Sequence, residues 1–252
     1  QKLEPLWPGK WSVESLTKDF QEYKDLGLVE SWMCEMMNMP GHGENGFTAD
    51  LIRYRPVPTP DQCIAAWLTI DPAFGQTSDH DETAIAVHAI FESEPPMTVS
   101  VVHGHWDEMR MFTEALSLAQ YWNAWTWGIE AVAAQRVLIP LFNMLLAGRQ
   151  MMGQVEILPL MSGRGDPKTS RIRSCVSLMA NDEWAIPEGD MDITTQILDY
   201  NFKKRDNKDD IIDAVAYGPQ MMEIYLNLIM AQSSGRGLIA EPAIYGTEVC
   251  CV

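Results

Sequence analysis

The sequence predicts a mixed α/β domain, a sheet with helices on its faces. Three observations lead there. Short apolar runs that read as strands come first, from residue 63 to about residue 104. Beyond residue 107 strand-like and helix-like runs alternate. No run of about 20 apolar residues, the length a membrane-spanning helix needs, occurs anywhere. Hairpin-like joins followed by strand–helix alternation call for a sheet of mixed direction. The chain, at 252 residues, suits one large domain or a domain plus an extension.

Taken in order, "QKLEPLWPGKW" lacks an initiating Met and an apolar signal core, so an excised part of a longer protein is expected. Residues 1–60 are punctuated by Pro5, Pro8, Pro40, Pro56, Pro58 and Pro60. Between them "SVESLTKDFQEYKDLGLVESWMCEMMNM" has helical periodicity from a Ser-x-x-Ser start, broken at Gly27. "RPVPTP" reads as a stiff linker. A helical lead-in over 1–60, a main domain over 61–219 and a C-terminal helix and tail over 220–252 are therefore expected. "GHGENG" spells G-x-G-x-x-G without a preceding strand and reads as a loop.

Within the main domain, "CIAAWLTID", "TAIAVHAIF" and "MTVSVVHGHW" predict three strands, and "DEMRMFTEALSLAQYW" a helix. "AWTWGIE" is strand-like; "AVAAQRVLIPLFNMLLAG" is helical, bent by Pro140. "QVEILPL" is a further strand, "KTSRIRSCVSLMAN" a helix, "WAIP" a short strand or turn, and "DITTQILDY" another helix. The last long helix opens in "DNKDDIIDAVAYG" and is expected to bend at Gly218-Pro219.

The net charge of −17 argues against a protein that grips nucleic acid over its whole surface. Residues 164–208 nevertheless hold eight of the 18 Lys and Arg against eight acids, which leaves room for a local phosphate-facing strip or a solvated basic face. Cys34, Cys63, Cys175, Cys250 and Cys251 show no C-x-x-C spacing and fit reduced thiols of a cytoplasmic protein. His103 and His105 form the one tempting metal pair, without a further ligand nearby in sequence, and a plain surface or core role is expected.

Acidic residues carry the sharper signal. Asp71 ends the first strand, Glu130 the fourth, and Asp209, Asp210 and Asp213 crowd the start of the last helix. A capping account serves the last group, with Asn207 as N-cap and acids favoured by the helix dipole. Yet three anions within about 6 Å repel by a few kcal/mol at an effective dielectric near 20, so a cation belongs there. Ligand sites in open α/β sheets gather at the carboxyl ends of strands, which can bring Asp71 and Glu130 together. Four or five carboxylates at one point need metal, and two Mg²⁺ or Mn²⁺ ions make such a cluster a site for phosphoryl chemistry.

The words "LTIDPAFG", "TWGIEAVAAQ", "DPKTSRIRS" and "NKDDIIDAVAYG", in this order, resemble the nuclease domain of the large terminase subunit of tailed bacteriophages; "LWPGKWSVESL" onward is similar to the segment joining that family's ATPase motor to its nuclease. The resemblance runs from about residue 5 to 220. It implies an RNase H-like mixed sheet with helices on both faces, and a metal-dependent endonuclease that cuts concatemeric double-stranded DNA. It implies Asp71, Glu130 and Asp210 as catalytic acids, these three with Asp209 and Asp213 as ligands of two metal ions, and Arg164, Lys168, Arg171 and Arg173 along the DNA backbone. Asp79 and Asp81 could approach the site, although turn formation suits them better. No G-x-x-x-x-G-K-[ST] occurs, so the packaging motor is expected on a missing N-terminal part. A portal protein and a small terminase subunit are the implied partners, and the host cytoplasm the implied location.

Two rival readings stay open. A junction resolvase, a transposase or RNase H itself would use a similar acidic cluster. A non-catalytic docking module would use the acids as caps and solvated faces, with "MMEIYLNLIM" and the tail as its contact segment.

Overall fold

The computed structural model describes residues 10, 12–25, 46–73, 82–160, 167–204 and 207–233. Arg164, Asp79, Asp81, Cys34, Cys250, Cys251, residues 41–45 of "GHGENG" and the tail beyond 233 lie outside the described residues.

The lead-in contains helix α1 (Val13–Asp25), whose start is capped as the Ser-x-x-Ser spelling predicts: Ser15 donates its N–H to Ser12 Oγ at 3.0 Å. Strand β1 (Tyr54–Arg55) follows, then β2 (Cys63–Asp71), β3 (Thr83–Phe91) and β4 (Met97–Gly104). Helix α2 (Glu108–Trp122) leads to β5 (Thr126–Glu130), α3 (Ala131–Gly148) to β6 (Glu156–Leu160), and α4 (Pro167–Ala180) to β7 (Ile186–Pro187). Helices α5 (Met191–Asp199) and α6 (Asp210–Ser233) complete the described chain. Both α3 and α6 continue through their prolines, Pro140 and Pro219.

The main sheet has the order β4-β3-β2-β5-β6. Its first half is an antiparallel meander, β2 with β3 and β3 with β4. Its second half is parallel, β2 with β5 and β5 with β6, the two crossovers being α2 and α3. The predicted mixed sheet is therefore present, and its direction changes at β2.

A period of two along each strand sorts side chains between two cores. Leu68, Ile70, Val87, Trp127 and Ile129 pack with Phe112 of α2 and Phe142 of α3. Trp67 and Ala86 lie on the other face with Ile172 and Val176 of α4, Ile193 of α5, and Ile212, Val215 and Tyr217 of α6. Phe47, Leu51 and Ile52, ahead of the expected domain start at residue 61, are buried in this second core, and β1 pairs in parallel with β7. Two glycines let α6 lie close to the sheet. A Cβ on Gly218 would fall 2.6 Å from His88 Nδ1, and one on Gly128 would collide with Met221 and Leu160.

Candidate active site

The alternation that sends Leu68 and Ile70 to the α2 and α3 side sends Trp67, Thr69 and Asp71 to the α6 side. On β5 the same rule turns Ile129 one way and Glu130 the other. Because Thr69 pairs with Gly128 and Ile70 with Ile129 in a parallel ladder, Asp71 and Glu130 end neighbouring strands side by side. At these strand ends the two carboxyls are close enough that each disfavours the other's charge. Burial, then the charges of Asp213 and Glu130, push the Asp71 carboxyl well above its usual range, against a smaller opposing pull from Lys168.

Helix α6 is fixed against this strand end by a buried hydrogen-bond chain. Thr69 Oγ1 donates to the Ala214 carbonyl at 2.7 Å and therefore accepts from His88 Nε2, also at 2.7 Å. His88 is then the Nε2–H tautomer, its Nδ1 accepting from Thr98 Oγ1 at 3.2 Å, and Thr98 Oγ1 accepts from Trp184 Nε1 at 3.2 Å. Complete burial pushes the His88 imidazole down to about 3, so it is neutral throughout the physiological range. Each member is satisfied only in one orientation, and Asp213 is the residue next to the anchored carbonyl.

The cap of α6 differs from the sequence expectation. Asp213 donates its N–H to the Asp209 carbonyl at 2.8 Å, which puts Asp209, not Asn207, at the N-cap. The N–H groups of Ile211 and Ile212 are taken by Gln196 Oε1 from α5, at 2.9 and 3.1 Å. Asn207 instead closes the preceding turn, accepting from Asn201 N–H at 2.9 Å and donating to the Asn201 carbonyl at 3.0 Å. With Gln196 supplying the cap, the Asp209 carboxylate turns to Lys168.

The three α6 acids are buried and have different surroundings. Asp213 receives Arg171 through Nε at 3.0 Å and through Nη2, and lies 3.4 Å from Lys168 Nζ. Asp209 pairs with Lys168 Nζ at 2.7 Å. Asp210 accepts the backbone N–H of Glu82 at 3.2 Å, tying α6 to the start of β3. The charge of Asp213 raises the Asp71 carboxyl. Arg171 also lies over the Tyr217 ring, 3.6 Å from its centroid, and Tyr217 donates to Glu130 Oε1 at 2.9 Å. A single side chain thus braces Asp213 directly and Glu130 through Tyr217.

The basic residues expected along DNA divide accordingly. Arg171 is turned inward onto Asp213, whose buried carboxylate takes its charge. Arg173 stacks 4.0 Å over Phe202, with its Nε buried and unpartnered among the described residues. Lys168 is half-buried at the edge of the acids.

Glu82, Tyr217 and Gln196 escape a reading of the sequence alone. Tyr217 has a usable signal, four residues after Asp213 on the same helical face. Glu82 also supplies the neighbour that the two histidines lack in sequence: His103 Nδ1 lies 3.0 Å and His105 Nε2 3.7 Å from its carboxylate, and Lys208 Nζ 3.4 Å. Burial pushes Glu82 up, but His103 and Lys208 outweigh it and hold the carboxyl below its ordinary value.

The donor chemistry suits a hard divalent cation, since the cluster offers carboxylate oxygens and an uncomfortable excess of negative charge. The arrangement is closed around its own cations, however: among the described residues, no three His, Cys, Asp or Glu side chains are grouped as a metal cage.

Strand order, the change from antiparallel to parallel pairing at β2 and helices on both faces define an RNase H-like fold. Neither a protein-family model nor a curated protein matches the chain. Among solved structures it is similar to the large terminase of a thermophilic bacteriophage in complex with ADP, at 12% identity over 84% of this chain and 53% of that one, with a TM-score of 0.50. It is also similar to the large terminase nuclease from thermophilic phage G20c with bound magnesium, at 13% identity over 71% and 98% of the two chains and a TM-score of 0.48. The human cytomegalovirus terminase nuclease domain follows, at 15% identity over 68% and 90%, with a TM-score of 0.46. At such identity the likeness to the ADP-bound terminase speaks for the fold, and the fold is the one the sequence resemblance implies.

Proposed function

We propose that this chain is the endonuclease domain of a viral DNA-packaging terminase, hydrolysing double-stranded DNA with two Mg²⁺ or Mn²⁺ ions. The observation that carries the reading is the meeting of Asp71, Glu130 and Asp213, from two strand ends and the first turn of a helix, in one electrostatically strained cluster. Asp71, Glu130 and Asp213 would hold the ions, with Asp209 and Asp210 at the flank. Bound divalent ions would supply a Lewis acid for the phosphate and activation of water.

The chain's own residues do the rest by positioning. Tyr217 fixes one oxygen of Glu130, and Arg171 fixes Asp213 while stacking on Tyr217, so the acids are oriented before substrate arrives. Basic residues at the rim of such a site would meet phosphate rather than base edges, and sequence selectivity is expected to be poor. A motor domain elsewhere in the full protein, a portal protein and a small terminase subunit would present the DNA, in the host cytoplasm; the sequence resemblance supports this part of the reading.

Nicking or linearisation of plasmid DNA with Mg²⁺ or Mn²⁺, lost in Asp71→Ala, is the test. Undiminished cutting by that variant overturns the assignment, and preferential cutting of four-way junctions moves it to a resolvase. A docking module is favoured by the internal pairing of Lys168 and Arg171 with the acids. It predicts no Mn²⁺-induced rise in thermal stability that Asp71→Asn abolishes.

A further inference from the structure

The two cations in the cluster are held in different ways. Arg171 sits with its side chain 8% exposed, contacts Asp213 through two nitrogens and is clamped over Tyr217. Lys168 comes from the turn before it on α4, with its side chain 39% exposed. Its ammonium is the atom that lies between Asp209 and Asp213, at 2.7 and 3.4 Å, and the charge of Asp71 acts on it as well. Its partners among the described residues are carboxylate oxygens, and its point charge makes no demand on geometry. Carboxylate oxygens of this kind are also the donors a divalent cation takes.

We propose that Lys168 is an exchangeable internal cation: it holds the α6 acids together in the metal-free protein and is displaced towards solvent when a divalent ion enters. Arg171 does not exchange, because leaving would abandon a buried carboxylate and a ring stack together, whereas Lys168 needs only to rotate its outer methylenes into water it already touches. Lys168 is on this account a positioning residue. Metal entry frees its charge at the rim of the site, where a phosphate backbone would lie. The inference rests on the metal-dependent reading above.

Calorimetric titration of the metal-free 252-residue chain with Mn²⁺, for wild type and Lys168→Met, tests it. Removing the competing charge while keeping the methylene stem should tighten Mn²⁺ binding by roughly tenfold or more. In the wild-type protein, acylation of the Lys168 amine, followed by mass spectrometry, should accelerate several-fold when Mn²⁺ is added, a readout that stands even where the variant fails to fold. Equal or weaker Mn²⁺ binding by folded Lys168→Met, or Lys168 acylation unchanged by bound Mn²⁺, overturns the proposal and leaves the metal site intact. No Mn²⁺ binding by wild type overturns the metal reading and this proposal with it.

Discussion

Thr69 shows how much of the site rests on one hydroxyl. It donates to a helix carbonyl and accepts from an imidazole, both at 2.7 Å, in a fully buried position two residues before Asp71. Thr69→Val keeps the shape but orphans the His88 N–H and removes the tie from the strand to the Ala214 carbonyl. We expect a loss of about 1–3 kcal/mol in urea unfolding, the cost of leaving buried polar groups unpaired. Asp71 predicts the opposite sign. Its carboxyl is held well above its usual range by burial and like charge, so its ionised form costs stability at neutral pH. Asp71→Asn should raise the metal-free thermal midpoint, at about 2–4 °C per kcal/mol for a domain of this size, while abolishing the Mn²⁺ response. A lowered midpoint would show that Asp71 is a structural anion.

At the scale of the element, α6 begins where another helix allows it to. Gln196 of α5 satisfies two of its first N–H groups, a task that usually falls to the helix's own N-cap side chain. Gln196→Ala should cost about 1–2 kcal/mol, in the range of a lost cap. Amide exchange should speed up over the first turn of α6, and any nuclease activity should fall with it, because Asp213 is on that turn. Exchange confined to α5 would show that the Gln196 bonds carry no weight. Local spacing points to Asn207 as the cap because it cannot register a partner on a different helix. It is equally blind to β1, two residues long and too short for any periodicity to show, whereas its partner β7 falls within the "WAIP" stretch expected as a short strand or turn. By contrast β2, β3 and α2 are legible almost to the residue, since alternation, flanking loops and the Asp107 cap mark their ends.

At the scale of the whole molecule, acid tolerance depends on His88. Its folded value, about 3, lies below the ordinary 6.5 of a solvated imidazole. Unfolding therefore takes up a proton at any pH between those values. The contribution is fully present above about pH 6.5 and is lost as pH falls towards 3, at up to about 1.4 kcal/mol per unit. Urea midpoints measured from about pH 7.5 to about pH 5 should decline more steeply in wild type than in His88→Gln; parallel declines would mean that His88 is solvated. Asp71 contributes in the other direction, losing stability as pH rises through its elevated value, which is why the difference between the two proteins, rather than either slope alone, isolates the imidazole. The acids of the site are legible in the sequence as strand-end and helix-start positions. Their ranking is not, because it depends on which carboxylate Arg171 and Lys168 reach, and that is settled by the packing of α4 on α6.

The cluster draws on β2, β5 and α6, and α6 is the last of these to leave the ribosome. A nascent chain that has completed the whole sheet still lacks Asp213 and the tyrosine that steadies Glu130. Whatever reaction the acids support can begin only after synthesis has passed that helix, so an interrupted translation product would carry the cluster incomplete.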